Sequence, residues 1–374
     1  MSEEKAKGQM STRETPYVTW MRSQDIPIIE GYGVTNLQEH PLKTWSRTGV
    51  PTSFVHMKGM EGITGMYVME IPPGGSTTVD KHLYEKVVYV MKGEGETEYM
   101  GPGEATNAVN WKEGSLFAIP LNTTHRIVNN GREPAFLVAT NTAPLAFDLY
   151  YREDFIHGTD KVFDDRYDGR KDYFELDKRS KDVFRPGWIW ETNFIPDARA
   201  VELPVNERRG SGYLNIQFEI CENSLIGHFT NFPTGRYTKA HYHGGGAILT
   251  ILSSEGYSLM WPNDLGPRPF ADGKGDKVVR VDWKEGSVFS PPTNWFHQHF
   301  NVTNIPALQM ALRNGSAKHP FGVRKAATRG GVSTSIYEGG TQIEYEDEDP
   351  EIRRIFDAET AMHGVEVDMP RYDG

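Results

Sequence analysis

The sequence has only one cysteine, Cys221, among its 374 residues. A single cysteine cannot form an internal disulfide, which excludes the disulfide-rich class of small secreted domains and fits a reducing compartment. Cys221 ends an apolar stretch, residues 217–221. We therefore interpret it as a small strand residue rather than a reactive thiol.

Long apolar runs and positive charge are also scarce. No stretch approaches the roughly 18 apolar residues of a membrane-spanning helix, and the polar residues 1–5 do not resemble a signal peptide. The formal net charge is -11, without a block of Lys or Arg, which disfavours nucleic acid or an anionic membrane as partner. Hydrophobic residues make up 37%, as in folded proteins. We expect a cytoplasmic protein of two or three domains.

One block of the sequence occurs twice. Residues 109–117 (VNWKEGSLF) recur as residues 281–289 (VDWKEGSVF), at an offset of 172 residues. The same offset aligns His125 with His297. Self-similarity of this kind indicates a duplicated domain.

A second block lies upstream in each copy, at an offset of 161 residues. This offset aligns Asp80 with His241 and His82 with His243. The second copy is therefore 11 residues longer between the two blocks, and the Gly/Pro-rich residues 262–276 predict a lengthened loop there.

The local pattern within each copy is that of β-structure. Short runs rich in β-branched residues, such as residues 87–91 and 248–252, end at turns that contain glycine. Several such runs without intervening amphipathic helices favour a barrel or a sandwich. The predicted organisation is an N-terminal arm, a first barrel, a linker packed on the barrels, a second barrel, and a tail with a helix from Pro350 to His363: residues 1–49, 50–150, 151–205, 206–325 and 326–374.

Four histidines alternate along two predicted strands of the second copy. Residues i and i+2 of a strand share a face, so His241 pairs with His243, and His297 with His299. Imidazole is a common ligand of Fe, Zn, Cu and Ni. A lone histidine is more often satisfied by hydrogen bonds, but three in corresponding motif positions predict a metal site formed by His241, His243 and His297. We interpret His299 as a catalytic acid/base or substrate-contacting residue rather than a fourth ligand.

These residues carry a resemblance to the cupin superfamily. Residues 235–243 (GRYTKAHYH) resemble the first cupin motif, whose His-x-His pair binds metal, and residues 286–301 resemble the second motif, which supplies the last histidine. The resemblance implies an all-β fold of two tandem cupin barrels, each a double-stranded β-helix or jelly roll. The glutamate that usually follows the His-x-His pair is missing, because residues 244–247 read GGGA. Three neutral ligands would leave positions open for a bidentate anionic substrate and dioxygen.

Residues 240–243 and 295–301 are also similar to the motifs of gentisate and salicylate ring-cleaving dioxygenases. This resemblance implies an Fe(II)-dependent dioxygenase that uses O₂ to cleave a small aromatic hydroxy-acid, and a homo-oligomer. In those enzymes the working site usually belongs to the N-terminal barrel, whereas here the better site is C-terminal. The alternatives are another imidazole-friendly divalent metal, an isomerase, lyase or decarboxylase acting on a small carboxylate or sugar acid, and a non-catalytic ligand-binding bicupin. Among these, an oxalate-decarboxylase-like bicupin is disfavoured, because its manganese sites require the carboxylate ligand that is absent here.

The first copy retains a weaker form of the same pattern. Asp80 replaces the first histidine, whereas His82, Glu85 and His125 remain. These four residues are a candidate second metal site, although a degenerate barrel with a solvated charged cluster is the preferred interpretation.

Four further residues of the second copy are candidate substrate contacts. Tyr237 has the same strand parity as His241, and Trp295 lies beside His297. Gln309 and Arg313 fall on the last predicted strand, where an inward arginine could bind a carboxylate through two hydrogen bonds. Surface charge or rim packing is the alternative for each.

Overall fold

The computed structural model describes residues 14–102, 106–182, 187–318 and 333–370. Residues 319–332, at the predicted junction of second barrel and tail, lie outside the described residues. Four α-helices occur in the described ranges: α1 (Pro16–Ser23), α2 (Ala143–Tyr150), α3 (Glu153–Gly158) and α4 (Pro350–Met362). None of these helices is long and apolar enough to cross a membrane.

The strands of the described residues fall into two groups of similar order. The first group is β1 (Ile28–Gly31), β2 (Gly33–Val34), β3 (Lys43–Thr44), β4 (Pro51–Met57), β5 (Gly65–Ile71), β6 (Lys86–Lys92), β7 (Glu94–Met100), β8 (Thr106–Lys112), β9 (Leu116–Ile119), β10 (Thr124–Asn129) and β11 (Ala135–Asn141). The second is β12 (Asp177–Lys181), β13 (Trp188–Thr192), β14 (Phe194–Ile195), β15 (Leu214–Ile220), β16 (Leu225–Phe232), β17 (Ile248–Ile251), β18 (Glu255–Pro262), β19 (Val279–Lys284), β20 (Val288–Phe289), β21 (Trp295–Asn301) and β22 (Ala307–Asn314).

Each half of the chain forms a barrel from a large and a small sheet. In the first barrel, the sheet β1-β4-β5-β11-β6-β9-β14, with β3 on β4, accompanies the sheet β10-β7-β8. In the second, the sheet β12-β13-β15-β16-β22-β17-β20-β2 accompanies β19-β18-β21. Burial alternates along β7 and β10, so one face of the small sheet is buried in the barrel while the other is more exposed. The prediction of two tandem barrels is confirmed.

The duplication extends to individual side-chain contacts. The indole nitrogen of Trp111 donates to Thr97 Oγ1 over 3.1 Å, and that of Trp283 donates to Ser258 Oγ over 3.0 Å. The extra residues of the second copy fall between β18 and β19, the position of the predicted long loop.

The segment before each barrel pairs with the other barrel. β2, in the predicted arm, pairs with β20 of the second barrel, whereas β14, in the predicted linker, pairs with β9 of the first. Gly33 permits the first contact, since a Cβ there would lie 2.6 Å from Val281 Cγ1 and 2.8 Å from Phe289 Cβ. Parts of the arm and of the linker are thus strands of the two large sheets, while linker residues such as Tyr167 also pack on the first barrel.

Helix α4 occupies the position predicted for the C-terminal helix. Asp349 caps its N-terminus by accepting a hydrogen bond from Glu351 N over 3.0 Å, and Pro350 fits the first turn, where its missing N–H costs nothing. Its buried face includes Phe356, whose ring lies 4.8 Å from the ring of Tyr237. This contact orients the side chain of Tyr237, which lies in the segment before His241, toward α4.

Candidate metal centre

Three imidazoles converge in the second barrel. His241, His243 and His297 each offer one nitrogen, and these three atoms lie within 4.8 Å of one another. The backbones of His241 and His297 exchange two hydrogen bonds, of 3.1 and 2.9 Å, which fix the two side chains side by side. The donor set fits a transition-metal ion, because imidazole nitrogens suit Fe, Zn, Cu and Ni.

Hydrogen bonds at the other ring nitrogen set the tautomer of all three histidines. Nδ1 lies 3.1 Å from Lys239 O in His241, 2.7 Å from Gly244 O in His243, and 3.0 Å from Trp295 O in His297. A carbonyl oxygen can only accept, so each Nδ1 carries the hydrogen and each Nε2 carries the lone pair. This is the form in which a histidine binds a metal through Nε2.

The surroundings also keep His241 and His297 uncharged. Burial lowers the pKa of His241 well below its usual value, and the Arg209 guanidinium and the other two imidazoles lower it further. Burial and the neighbouring His243 and His299 do the same for the pKa of His297. Neutral imidazole is the metal-binding state, so the two rings are ready to act as ligands at neutral pH.

The histidines line a cavity of about 60 Å³ that also contains buried arginines. Arg209 is 5% exposed and donates from Nη1 to Gln342 Oε1 over 2.6 Å. Arg313, on β22, donates from Nη2 to Gln217 Oε1 over 3.1 Å. The side-chain oxygen of Gln309, another lining residue, has no hydrogen-bond partner within the described parts of the chain.

Several lining residues were not predicted from the sequence: Arg208, Arg209, Tyr213, His228 and Thr238. The repeat contained a signal for one of them, Arg208, because the offset of 161 aligns it with Arg47. Both arginines lie near the histidine cluster of their own barrel, as Arg208 lines the cavity and Arg47 contacts Asp80.

His299 lines the same cavity but has a different kind of hydrogen-bond partner. Ser258 Oγ accepts a hydrogen bond from Trp283 and lies 2.8 Å from His299 Nδ1. A serine hydroxyl can both donate and accept, so this contact is compatible with either tautomer of His299, unlike the carbonyl contacts of the other three rings. Burial lowers the pKa of His299 to about 3, so the ring is neutral.

Two predicted substrate contacts lie away from the cavity. The hydroxyl of Tyr237 donates to Glu348, and its ring packs on Phe356 of α4. Trp295 packs on Tyr32, with ring centroids 5.6 Å apart, and is absent from the cavity lining. The residues preceding His241 do not form a regular strand, so the parity that placed Tyr237 beside His241 does not hold.

The glycines that replace the usual glutamate form a contact with the first barrel. Gly246 N donates to Gly59 O over 2.8 Å, and Thr64 Oγ1 donates to Gly246 O. A Cβ on Gly246 would lie 2.7 Å from Ile63 Cγ2, and one on Gly245 would meet Thr293 of the second barrel as well as Glu61 of the first. The loop after His243 is therefore held by the first barrel at a distance that excludes larger residues.

The first barrel holds a related cluster of Asp80, His82 and His125, whose ligand atoms also lie within 4.8 Å of one another. Glu85, predicted as a fourth member, is not part of this cluster. Its carboxylate accepts hydrogen bonds from Ser224 N and Leu225 N, over 2.8 and 2.7 Å, and so faces the second barrel.

Comparison with known proteins identifies part of the first barrel by sequence. Residues 67–141 match the family model described as Cupin domain. Auxin-binding protein T92 of Nicotiana tabacum is 28% identical over 109 residues, which are 27% of this chain and 57% of that protein. This chain thus spans just over half the length of the curated relative it matches.

Among solved structures, one of oxalate decarboxylase covers 76% of this chain and 77% of its own, with a TM-score of 0.49 and 12% identity. A mutant of Bacillus subtilis oxalate decarboxylase covers 76% and 78%, with a TM-score of 0.48 and 12% identity. The paired-sheet topology of both halves and the matched domain together show that this chain is a cupin-fold protein of two tandem barrels.

Proposed function

We propose that the second barrel is the active site of a metal-dependent lyase or decarboxylase that acts on a small carboxylate. The observation that carries this proposal is the presence of three metal-ready imidazoles and buried guanidinium groups in one small cavity. Metal sites with open positions beside fixed cationic groups are suited to binding and activating anions.

The charge of the cavity supports an anionic substrate. Arg209 and Arg313 line it, whereas no Asp or Glu is among the described residues that do. Burial lowers the pKa of Arg209 to about 9, so the side chain remains largely protonated at neutral pH. A carboxylate would offset this buried positive charge through charge-assisted hydrogen bonds, which planar guanidinium groups make well.

The size of the cavity favours a short substrate. Its volume is about 60 Å³, whereas an apolar cavity known to bind benzene measures about 150 Å³. A hydroxybenzoate is larger than benzene, so the cavity as it stands fits a carboxylate of a few carbons better than an aromatic acid. The cavity size therefore favours a lyase or decarboxylase, one of the alternatives given by the sequence, over a ring-cleaving dioxygenase.

We assign roles to the side chains as follows. When bound, a divalent ion would supply Lewis acidity to a substrate oxygen. Arg209 and Arg313 hold the carboxylate, and His299 contacts the bound substrate. Because burial keeps His299 neutral and its Nδ1 is hydrogen-bonded to Ser258, we assign it to orienting the substrate rather than to the acid/base role inferred from sequence.

A dioxygenase remains the second candidate, because the cluster supplies three imidazoles and no carboxylate. Such a ligand set leaves room for a chelating substrate and O₂. This candidate requires the cavity to widen around an aromatic ring. Fe(II) as the resident metal, the homo-oligomeric state and the cytoplasmic location stay predictions.

The test starts with metal content, measured by mass spectrometry on anaerobically purified protein and on His243→Ala. The metal-loaded protein is then given short dicarboxylates and keto acids, and separately hydroxybenzoates, while CO₂ release and O₂ uptake are recorded. Metal-dependent turnover of a short carboxylate without net O₂ consumption supports the proposal. O₂ uptake with a hydroxybenzoate supports the second candidate instead. Metal that is absent, or unchanged in His243→Ala, refutes both.

A further inference from the structure

The histidine cluster of the first barrel repeats the backbone frame of the metal centre. Asp80 and His125 exchange two backbone hydrogen bonds, of 3.0 and 2.9 Å, as His241 and His297 do in the second barrel. The repeat offsets align these same pairs. The two barrels therefore present their side chains from equivalent positions.

The histidines of the first barrel also have the metal-binding tautomer. Nδ1 of His82 lies 2.7 Å from Tyr84 O, and Nδ1 of His125 lies 3.0 Å from Thr123 O. Each ring therefore has its lone pair on Nε2. Nε2 of His82 is buried and has no hydrogen-bond partner among the described residues.

A lysine side chain distinguishes this cluster from the metal centre. Nζ of Lys86 lies 2.9 Å from His125 Nε2, and the residue is 2% exposed. The offset of 161 aligns Lys86 with Ala247, which lines the cavity of the second barrel. A methyl group leaves space there, whereas in the first barrel an ammonium group contacts the lone pair that a metal would use.

The position of the ammonium group, rather than the sum of the charges, distinguishes the two clusters. Asp80 forms an ion pair with Arg47, and Glu85 is turned toward the second barrel. Cationic side chains also line the cavity of the second barrel, those of Arg208, Arg209 and Arg313. Lys86 differs from them because its nitrogen lies against a histidine nitrogen of the cluster, where an ion would bind.

We propose that the first barrel is a latent metal site in which the ammonium group of Lys86 takes the place of the ion. Removal of this group opens an Asp/His/His site for a divalent transition metal such as Co(II) or Zn(II), whose preferred ligands include these donors. The unaltered first barrel binds no metal.

The test compares the Co(II) stoichiometry of the unaltered chain with that of Lys86→Ala, which restores the alanine of the second barrel. We expect one additional equivalent per chain in Lys86→Ala, and its loss in the double variant Lys86→Ala/His125→Ala. Lys92→Ala, an exposed lysine on the same strand, is the matched control and gains nothing. Because only differences are compared, the result does not depend on whether the second barrel binds metal.

A second arm uses His125→Ala in the otherwise unaltered chain, with folding checked by circular dichroism. Its metal content equals that of the unaltered protein if Lys86 closes the site. Loss of one equivalent in His125→Ala would show that the first barrel already binds metal and would overturn the proposal. A folded Lys86→Ala variant without an extra equivalent would overturn it as well.

Discussion

The guanidinium of Arg209 donates a hydrogen bond to the side-chain oxygen of Gln342, which lies 133 residues further along the chain. The backbone of Gln342 also forms a bridge with that of His241, and its neighbour Ile343 donates from N to Ala240 O over 2.9 Å. The C-terminal segment therefore contacts both Arg209 of the cavity and His241 of the metal centre through Gln342.

This contact predicts a selective effect of Gln342→Ala. The variant frees Arg209 from its buried acceptor, and a hydrogen bond to a charged group is worth about 1.5–3 kcal/mol. We expect the affinity of the metal-loaded protein for small carboxylates to fall about 10-fold or more, with unchanged metal content, as measured by isothermal titration calorimetry. Tyr337→Ala, at a 69% exposed position of the same segment, is the control. Equal losses in both variants would mean that the segment as a whole, rather than the hydrogen bond, matters.

The geometry of the cluster predicts that His297 and His299 respond differently to removal. His297→Ala loses the bound metal, because its Nε2 carries a lone pair among the other ligands. His299→Ala keeps the metal, because His299 lies outside the cluster of three ligand atoms. Metal analysis by mass spectrometry after dialysis checks both variants. A metal-free His299→Ala variant with a native circular dichroism spectrum would show that His299 is a fourth ligand.

The glycine loop beside His243 predicts a stability difference between two alanine substitutions. Gly246 and Gly364 both have positive φ, +84° and +66°, but only the Cβ of Gly246→Ala would meet another residue, Ile63. The backbone conformation alone costs about 1–2 kcal/mol for a non-glycine residue. We expect Gly364→Ala to lose about this amount and Gly246→Ala to lose more. Urea denaturation of both variants measures the difference in the free energy of unfolding. Equal losses would show that Ile63 moves aside without a measurable cost.

Glu348 predicts a pH dependence of stability. Burial raises its pKa from the ordinary 4.5 to about 7, against the opposing effect of hydrogen bonds from Tyr237 and Gln298. The folded state then holds a proton that the unfolded state releases, so stability is highest below about pH 4.5 for this group and falls as the pH rises toward 7. A shift of this size corresponds to roughly 3 kcal/mol.

The measurement for Glu348 is the free energy of unfolding from pH 5 to 8, in the unaltered protein and in Glu348→Gln. An amide does not titrate, so the difference between the two proteins should grow in favour of the variant as the pH rises. Parallel pH profiles would show that Glu348 is ionised in the folded state throughout this range.

Features that depend on short-range sequence patterns could be predicted from the sequence. The repeated blocks and the alternation of His241 with His243 predicted the duplicated barrels and the imidazoles that the structure brings together, because strand geometry alone fixes which side chains share a face. Gln309 and Arg313 were predicted for the same reason, since both lie on the regular strand β22.

Other features were decided only by contacts between distant segments. The exchange of β2 and β14 between barrels leaves no local periodicity, because each strand has only two residues. Tyr237 turned toward α4 because its segment is irregular and Phe356 offered an apolar surface. The sequence by itself determined which residues could bind a metal. The tertiary structure decided which cations lie beside them, since Lys86 and Arg209 act through distances and burial that arise only when remote segments pack together.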